Sequence, residues 1–267
     1  MNMNAILLAV GLVAGIGLLI GLILSIASIV MAVPKDEKAE KLLNALPGAN
    51  CGACGYSGCS GYADALAKGK AEIGLCAPGG IACAKELSAI LGVESGSMEK
   101  KVAVVHCMGS LDNTSYKAQY SGIKSCAAAV KIGGGLTACS YGCMGLGDCE
   151  AACPYDAIRV CNGVAVVDND KCKACAMCVK ACPRKIISIV PYQNAAVVRC
   201  RNKDKGAVTR KVCSAGCIGC KKCEKTCEAG AIKVTDFVAA IDPALCTGCG
   251  KCADNCPQGC ISYLSPF

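Results

Sequence analysis

The chain has 267 residues, of which 27 are Cys and only one is His, with 8 Tyr, 2 Phe and no Trp. So few aromatic side chains argue against one large conventional core, and a single His nearly excludes His-based zinc sites and Ser-His-Asp catalysis. The formal net charge of +8 suggests an anionic partner only if the thiols are neutral. Nine Cys fall in three C-x-x-C-x-x-C runs, which are typical of metal thiolates rather than disulfides. Composition therefore predicts a metal-thiolate protein.

The N-terminus has the composition of a membrane anchor. Residues 1–34 carry no charged side chain, and residues 5–33 are almost continuously apolar, which exceeds the roughly 20 residues that span a bilayer. A cleaved signal peptide would need a basic start and a shorter apolar run. Lys35, Lys38 and Lys41 follow the run, so the positive-inside rule places the rest of the chain in the cytoplasm.

Small residues of the anchor share one side of a helical wheel: Gly11, Ala14, Gly15, Gly17, Gly21, Ser25 and Ser28. Small residues let membrane helices approach closely, so this arc is expected to dock against other membrane subunits. The alternative is that Gly is simply common in such helices.

A first cysteine module follows the anchor and holds Cys51, Cys54, Cys59 and Cys76. Gly stands beside nearly every thiol, and it permits the tight backbone that a [4Fe–4S] cube needs for N–H groups to reach its sulfurs. Four-Cys zinc is the alternative, although C-x₂-C-x₄-C is not the usual zinc spacing. Cys83, in an Ala-rich stretch, is expected to be a core residue.

An internal repeat of 74 residues occupies the rest of the chain. Nine Cys recur at this offset: Cys126, Cys139, Cys143, Cys149, Cys153, Cys172, Cys175, Cys178 and Cys182 match Cys200, Cys213, Cys217, Cys223, Cys227, Cys246, Cys249, Cys252 and Cys256. Each repeat resembles a bacterial two-cluster ferredoxin, C-x₂-C-x₂-C-x₃-C-P, in which the fourth Cys of each run binds the other cluster.

This pattern predicts three regular clusters with crossed ligands. The expected sets are Cys172, Cys175 and Cys178 with Cys153; Cys217, Cys220 and Cys223 with Cys256; and Cys246, Cys249 and Cys252 with Cys227. With the first module and one irregular site, five [4Fe–4S] clusters would add about −10 and offset the basic excess. Nucleic-acid binding is therefore not expected.

The irregular site has Leu146 where the second repeat has Cys220. Cys143, Cys149 and Cys182 then need a fourth ligand, and Cys139 is the expected one; a three-iron cluster is the alternative. Four thiols remain without a clear role: Cys107, Cys126, Cys200 and Cys213. The favoured interpretation is that they shield clusters in the core, and the other is that they hold a further centre. Cys161 and Cys260 are expected to be packing residues.

An apolar helix, then GANCGACGYSGC…CAPGG, then ferredoxin repeats, resembles the B subunit of the Rnf complex over nearly the whole chain. That resemblance implies a subunit of a bacterial ion-translocating ferredoxin:NAD⁺ oxidoreductase in the cytoplasmic membrane. It would take electrons from reduced soluble ferredoxin and relay them to flavin-bearing partner subunits. The alternatives are the polyferredoxin arm of another membrane hydrogenase or dehydrogenase, and a structural zinc-thiolate module.

The expected fold is α+β, in five segments: an anchor (1–34), a small helical cluster module (35–98), a connecting segment (99–134), and two two-cluster ferredoxin-like units (135–192 and 193–267). No dinucleotide-binding turn is present in the sequence, so neither flavin nor NAD is expected on this chain. A basic stretch could steer an acidic ferredoxin or balance cluster charge: Lys203, Lys205, Arg210, Lys211, Lys221, Lys222 and Lys225.

Overall fold

The computed structural model describes residues 3–30, 36–94, 99–192 and 196–264. Its first element is α1, a helix over Met3–Val30. Within it, Val10–Ala27 has a mean hydropathy of 2.6, and none of that stretch is buried against the rest of the protein. The helix is long and apolar enough to cross a membrane. The last residues of the expected anchor, 31–34, and Lys35 after them lie outside the described residues.

Three helices form the module that follows: α2 (Glu37–Ala45), α3 (Cys59–Ala67) and α4 (Gly80–Leu91). The Asp36 carboxylate caps α2 by accepting a hydrogen bond from the Lys38 N–H at 3.0 Å. The apolar faces of the three helices meet in a small core that includes Leu42, Tyr62 and Leu87. This core supports one side of the first cysteine loop.

The first ferredoxin-like unit contains β1 (Lys101–Val105), α5 (Cys126–Lys131), α6 (Asp148–Ala151), β2 (Ile158–Cys161), β3 (Val164–Val167), α7 (Met177–Ala181) and β4 (Ile187–Pro191). Strands β1 and β4 pair antiparallel, with Val105 opposite Ile187. Strands β2 and β3 form a hairpin through Asn162 and Gly163, whose φ angles are +47° and +78°. Two positive φ angles suit the tight turn that a twisted hairpin favours.

The second unit contains β5 (Ala196–Val198), α8 (Gly206–Val212), α9 (Lys222–Thr226), β6 (Ile232–Thr235), β7 (Val238–Ile241), α10 (Lys251–Asp254) and β8 (Ile261–Tyr263). Strand β5 pairs with β8 and β6 pairs with β7, both antiparallel. Five elements (α9, β6, β7, α10 and β8) begin 74 residues after their counterparts α6, β2, β3, α7 and β4. The repeat seen in the cysteines is therefore a repeat of secondary structure.

The start of each unit departs from this offset. Strand β1 lies within the segment 99–134 that was expected to be a connection, yet it pairs with β4 and so completes the first unit. Strand β1 ends within the motif AVVHC, two residues before Cys107, and β5 ends at the same place within AVVRC, two residues before Cys200. Cys139 follows Cys107 by 32 residues, whereas Cys213 follows Cys200 by 13, so the first repeat carries 19 additional residues.

Candidate iron-sulfur centres

The four module thiols face one cavity of about 300 Å³: Cys51, Cys54, Cys59 and Cys76. Cys59 begins α3, and its N–H donates to the side-chain oxygen of Asn50 at 2.8 Å, which fixes the loop between the first thiols. Tyr62 closes the cavity from the core side. The structure therefore brings together all four residues expected at the first site.

The electrostatics of this cavity favour a bound cationic group. Burial raises the pKa of the Cys76 thiol, and the neighbouring Cys59 thiolate raises it further. Burial also raises the pKa of Tyr62 to about 12, and its hydroxyl donates to the Glu72 carbonyl at 2.8 Å. Four adjacent thiolates repel one another, so they stay deprotonated together only when metal charge compensates them.

A second cavity, of about 330 Å³, lies in the first ferredoxin-like unit and is lined by Cys153, Cys172, Cys175 and Cys178. Backbone N–H groups point at its sulfurs: Ala103 donates to Cys172 at 3.3 Å, and Ala157 donates to Cys153 at 3.4 Å. Such N–H···S bonds stabilise charge on cluster thiolates and tune cluster potential. This is the crossed set expected from the sequence.

A third cavity, of about 330 Å³, differs from the expectation, because its four thiols are those of Cys126, Cys143, Cys149 and Cys182. Cys139, the residue expected here, lines a different cavity. Burial raises the pKa of Cys149 to about 12, with further increases from the Cys143 and Cys126 thiolates beside it. Where the first repeat lacks a thiol at Leu146, the structure places Cys126, from the additional residues of that repeat.

Asp148 explains how Cys126 reaches this cavity. Its carboxylate caps α5, accepting hydrogen bonds from the N–H of Cys126 at 2.8 Å, from the N–H of Ala127 at 2.9 Å and from the Ser125 hydroxyl at 3.1 Å. Asp148 is also the first residue of α6, next to Cys149. The two thiols are therefore held side by side by one carboxylate.

A fourth cavity, of about 350 Å³, lies in the second unit and holds the expected set of Cys217, Cys220, Cys223 and Cys256. Cys260, expected only to pack, also lines it, with its sulfur 3.6 Å from the Cys256 sulfur. The neighbouring Cys260 thiol holds the pKa of Cys217 below its usual value. Cys260 is therefore a fifth sulfur at the edge of this site.

The last expected set contains Cys227, Cys246, Cys249 and Cys252 in the same unit. Three of them, Cys227, Cys246 and Cys252, share one apolar cluster, while Cys249 is exposed. Burial raises the pKa of Cys252, and the Cys246 and Cys249 thiolates raise it further.

These sites have the dimensions of a multi-atom cofactor. Among the described residues, no three His, Cys, Asp or Glu side chains converge as the ligands of a single metal ion do. The thiols of four of the sites instead surround cavities of about 300–350 Å³. All-thiolate ligation, Gly-rich loops and N–H donors to sulfur fit iron–sulfur cubes.

Three parts of the chain match models of iron–sulfur families. Residues 46–78 match a putative Fe-S cluster family, residues 165–188 a 4Fe-4S binding domain, and residues 216–260 a 4Fe-4S dicluster domain. The chain therefore binds iron–sulfur clusters. Cys107, Cys126, Cys139, Cys200 and Cys213 lie outside all three matched ranges.

Relatives similar to nearly the whole chain identify its family. The B subunit of the Na⁺-translocating ferredoxin:NAD⁺ oxidoreductase complex of Acetobacterium woodii is 42% identical over 90% of this chain and 72% of the relative. The B subunit of the ion-translocating oxidoreductase complex of Methanosarcina acetivorans is 39% identical over 90% of this chain and 92% of the relative. The chain belongs to the B-subunit family of ion-translocating oxidoreductase complexes. The resemblance to the Rnf family is thereby confirmed, and with it an iron–sulfur electron-transfer role.

In this Rnf-family protein, the module touches the first ferredoxin-like unit at their cavities. Lys180, on α7, donates from its Nζ to the Cys51 carbonyl at 2.7 Å. Burial raises the pKa of Cys175, and the Cys51 thiolate of the module adds to that increase. The first two thiol cavities therefore adjoin, with Lys180 between their backbones.

Besides Cys260, six thiols of this Rnf-family protein remain outside the five sets. Cys83 is buried in the module core, in agreement with the expectation. Cys161 is exposed at the end of β2, so the expectation that it packs is wrong. The other four line a cavity between the two units: Cys107, Cys139, Cys200 and Cys213.

Proposed function

We propose that this protein is a membrane-anchored electron relay that accepts electrons from reduced soluble ferredoxin and delivers them to flavin-bearing partner subunits. Five [4Fe–4S] clusters are assigned to the thiols of the five sets. The irregular set takes Cys126, with Cys143, Cys149 and Cys182. The family shown by the relatives favours this complex over the polyferredoxin arm of another membrane enzyme.

One observation carries this proposal: the thiol cavities adjoin one another along the chain. The module cavity meets the Cys175 cavity at Lys180, and in each ferredoxin-like unit members of both thiol sets share one apolar cluster. Iron–sulfur cubes supply one-electron oxidation and reduction when bound. The protein's own contribution is to hold them close, exclude water and donate N–H hydrogen bonds to sulfur, which together set their potentials.

The second unit offers a surface for an acidic electron donor. Cys220 and Cys249 are exposed, so the clusters they hold would reach the solvent edge. Lys221, Lys222 and Lys225 follow Cys220 within five residues and are themselves exposed. Positive charge at the rim of such a site accelerates docking of an anionic protein, and the effect weakens with salt.

The anchor is proposed to span the cytoplasmic membrane once, with all cluster units on the cytoplasmic side. Lys35, Lys38 and Lys41 follow the apolar run, as the positive-inside rule requires. Within the described anchor, a Cβ added to Gly11, Gly15, Gly17 or Gly21 would meet no atom within 4 Å. This free small-residue side is the proposed contact with other membrane subunits.

Stopped-flow reduction of the anaerobic full-length protein by reduced ferredoxin tests the relay. The chain should bleach in the visible range, with a second-order rate that falls as salt rises. Lys221→Glu/Lys222→Glu/Lys225→Glu should lower that rate by at least about tenfold at low salt. Lys85→Glu, an exposed substitution on α4, serves as the control. A chain that dithionite reduces but ferredoxin does not would contradict the proposed donor.

A further inference from the structure

Four cysteines outside the five sets meet where the two ferredoxin-like units touch. Cys107, Cys139, Cys200 and Cys213 line one cavity of about 400 Å³. Three of these thiols are buried, and Cys200 is half-buried. Each unit supplies two of the four, so neither unit can build this site alone.

The four residues form two matched pairs. Cys107 and Cys200 each stand two residues after the end of a unit's first strand, β1 or β5. Cys139 and Cys213 each open the motif C-S-x-G-C, whose second thiol belongs to the next site, at Cys143 or Cys217. The cavity is therefore built by equivalent positions of the two repeats facing each other.

Backbone N–H groups point at these sulfurs in the same matched way. The Cys107 sulfur accepts from the N–H groups of Gly109 and Cys143, each at 3.3 Å. The Cys200 sulfur accepts from the N–H group of Asn202 at 3.5 Å, the same two-residue spacing as Cys107 and Gly109.

A side chain of the second unit reaches the second pair. The Asn202 side-chain nitrogen donates to the Cys139 sulfur at 3.6 Å. A core thiol needs no such donors, whereas cluster thiolates use them to stabilise charge.

The charge around the cavity also suits an anionic group. Arg199 and Arg201 line it, and none of the described lining residues is acidic. The Arg199 Nε is buried and has no hydrogen-bond partner among the described residues. A cube held by four thiolates carries about −2, which two arginines can balance.

The two units are fastened around this cavity by direct hydrogen bonds. His106 Nδ1 donates to the Val198 carbonyl at 2.6 Å, and the Thr114 hydroxyl donates to the Val212 carbonyl at 2.7 Å. These bonds hold the two pairs of thiols around one shared cavity.

We infer that Cys107, Cys139, Cys200 and Cys213 hold a sixth [4Fe–4S] cluster that joins the two ferredoxin-like units electrically. This rests on the proposed cluster relay. The neighbouring sites adjoin it: the Cys143 N–H donates to the Cys107 sulfur, and Gly216, next to Cys217, lines the same cavity. When bound, a cluster here would take one electron from a reduced neighbour, so that it would pass from the 2+ to the 1+ state and the neighbour from 1+ to 2+. No bond would be made or broken and no proton exchanged.

Native mass spectrometry of the anaerobic full-length protein in detergent tests this on the unmodified chain. Six clusters per chain are expected, and a chain that holds five would overturn the inference while leaving the relay intact. A protein with no cluster at all would instead overturn the proposed function. Zinc at one atom per chain beside five clusters would also overturn the inference, in favour of a zinc site.

Cys107→Ala/Cys213→Ala removes one thiol of each pair. Iron and acid-labile sulfide should each fall by about four per chain, and one component of the reduced EPR spectrum should disappear. Cys161→Ala, which removes an exposed thiol outside every site, is the matched control and should change neither. Unchanged iron in the double variant would show that these thiols only pack.

Discussion

The replacement of one cluster ligand by another gives the sharpest prediction. Leu146 stands where the second repeat has Cys220, and the two loops share one backbone form. Gly145 and Gly147 have φ angles of +68° and +87°, and the residues flanking Cys220 have +66° and +59°. A thiol introduced by Leu146→Cys would therefore stand on a loop with the same backbone conformation as the loop that holds Cys220.

Cys126→Ala should remove one of the four thiols of this site. If the whole cluster is lost, the iron content should fall by about four per chain; if a three-iron cluster survives, it should fall by about one. Adding Leu146→Cys should restore the iron to the parent level, because the regular ferredoxin ligand set is completed. The same Leu146→Cys should not restore iron to Cys139→Ala, since Cys139 lines another cavity.

The assay is iron and sulfide content with EPR of the reduced, anaerobically purified protein. Leu146→Cys alone is the control for the new thiol and should keep the parent iron content. Rescue of Cys139→Ala, with no rescue of Cys126→Ala, would refute the structural assignment and restore the one expected from sequence.

Three further outcomes are expected. Asp148→Ala removes the cap of α5 and should lower the free energy of unfolding by about 1–2 kcal/mol in denaturant titrations, with Asp148→Asn intermediate. Gly219→Ala would place a Cβ 2.8 Å from the Phe237 carbonyl and should lower iron content, whereas Gly230→Ala, also at positive φ but in open space, should not; equal losses would contradict this. Iron removal by chelation should abolish cooperative thermal unfolding of the cluster units by circular dichroism, because cavities of about 300–350 Å³ lose their contents; an unchanged melt would argue against clusters as the core.

The repeat allowed much of the architecture to be predicted. The 74-residue offset of the cysteines is also the offset of α9, β6, β7, α10 and β8 from their counterparts. The regular sets followed from spacing, because ligands in short C-x₂-C-x₂-C runs have little conformational choice. Strand β1 was missed, since its partner β4 lies more than eighty residues away and a short apolar strand resembles any connecting segment.

The structure departs from the predicted irregular set for a related reason. Cys139 lies four residues before Cys143, and proximity in sequence favoured it over Cys126. The deciding contact is the Asp148 carboxylate on the N-terminus of α5, which joins residues more than twenty positions apart. Two signals did exist in the sequence: the shared C-S-x-G-C motif, and the 19 extra residues that carry Cys126.

Metal analysis with EPR of the anaerobically purified full-length protein tests the central claim most directly. Clusters at these thiols predict at least about 20 irons per chain with equal sulfide, and paramagnetic signals that appear on reduction by dithionite. Protein that instead contains zinc, with neither sulfide nor a signal after reduction, would contradict the account.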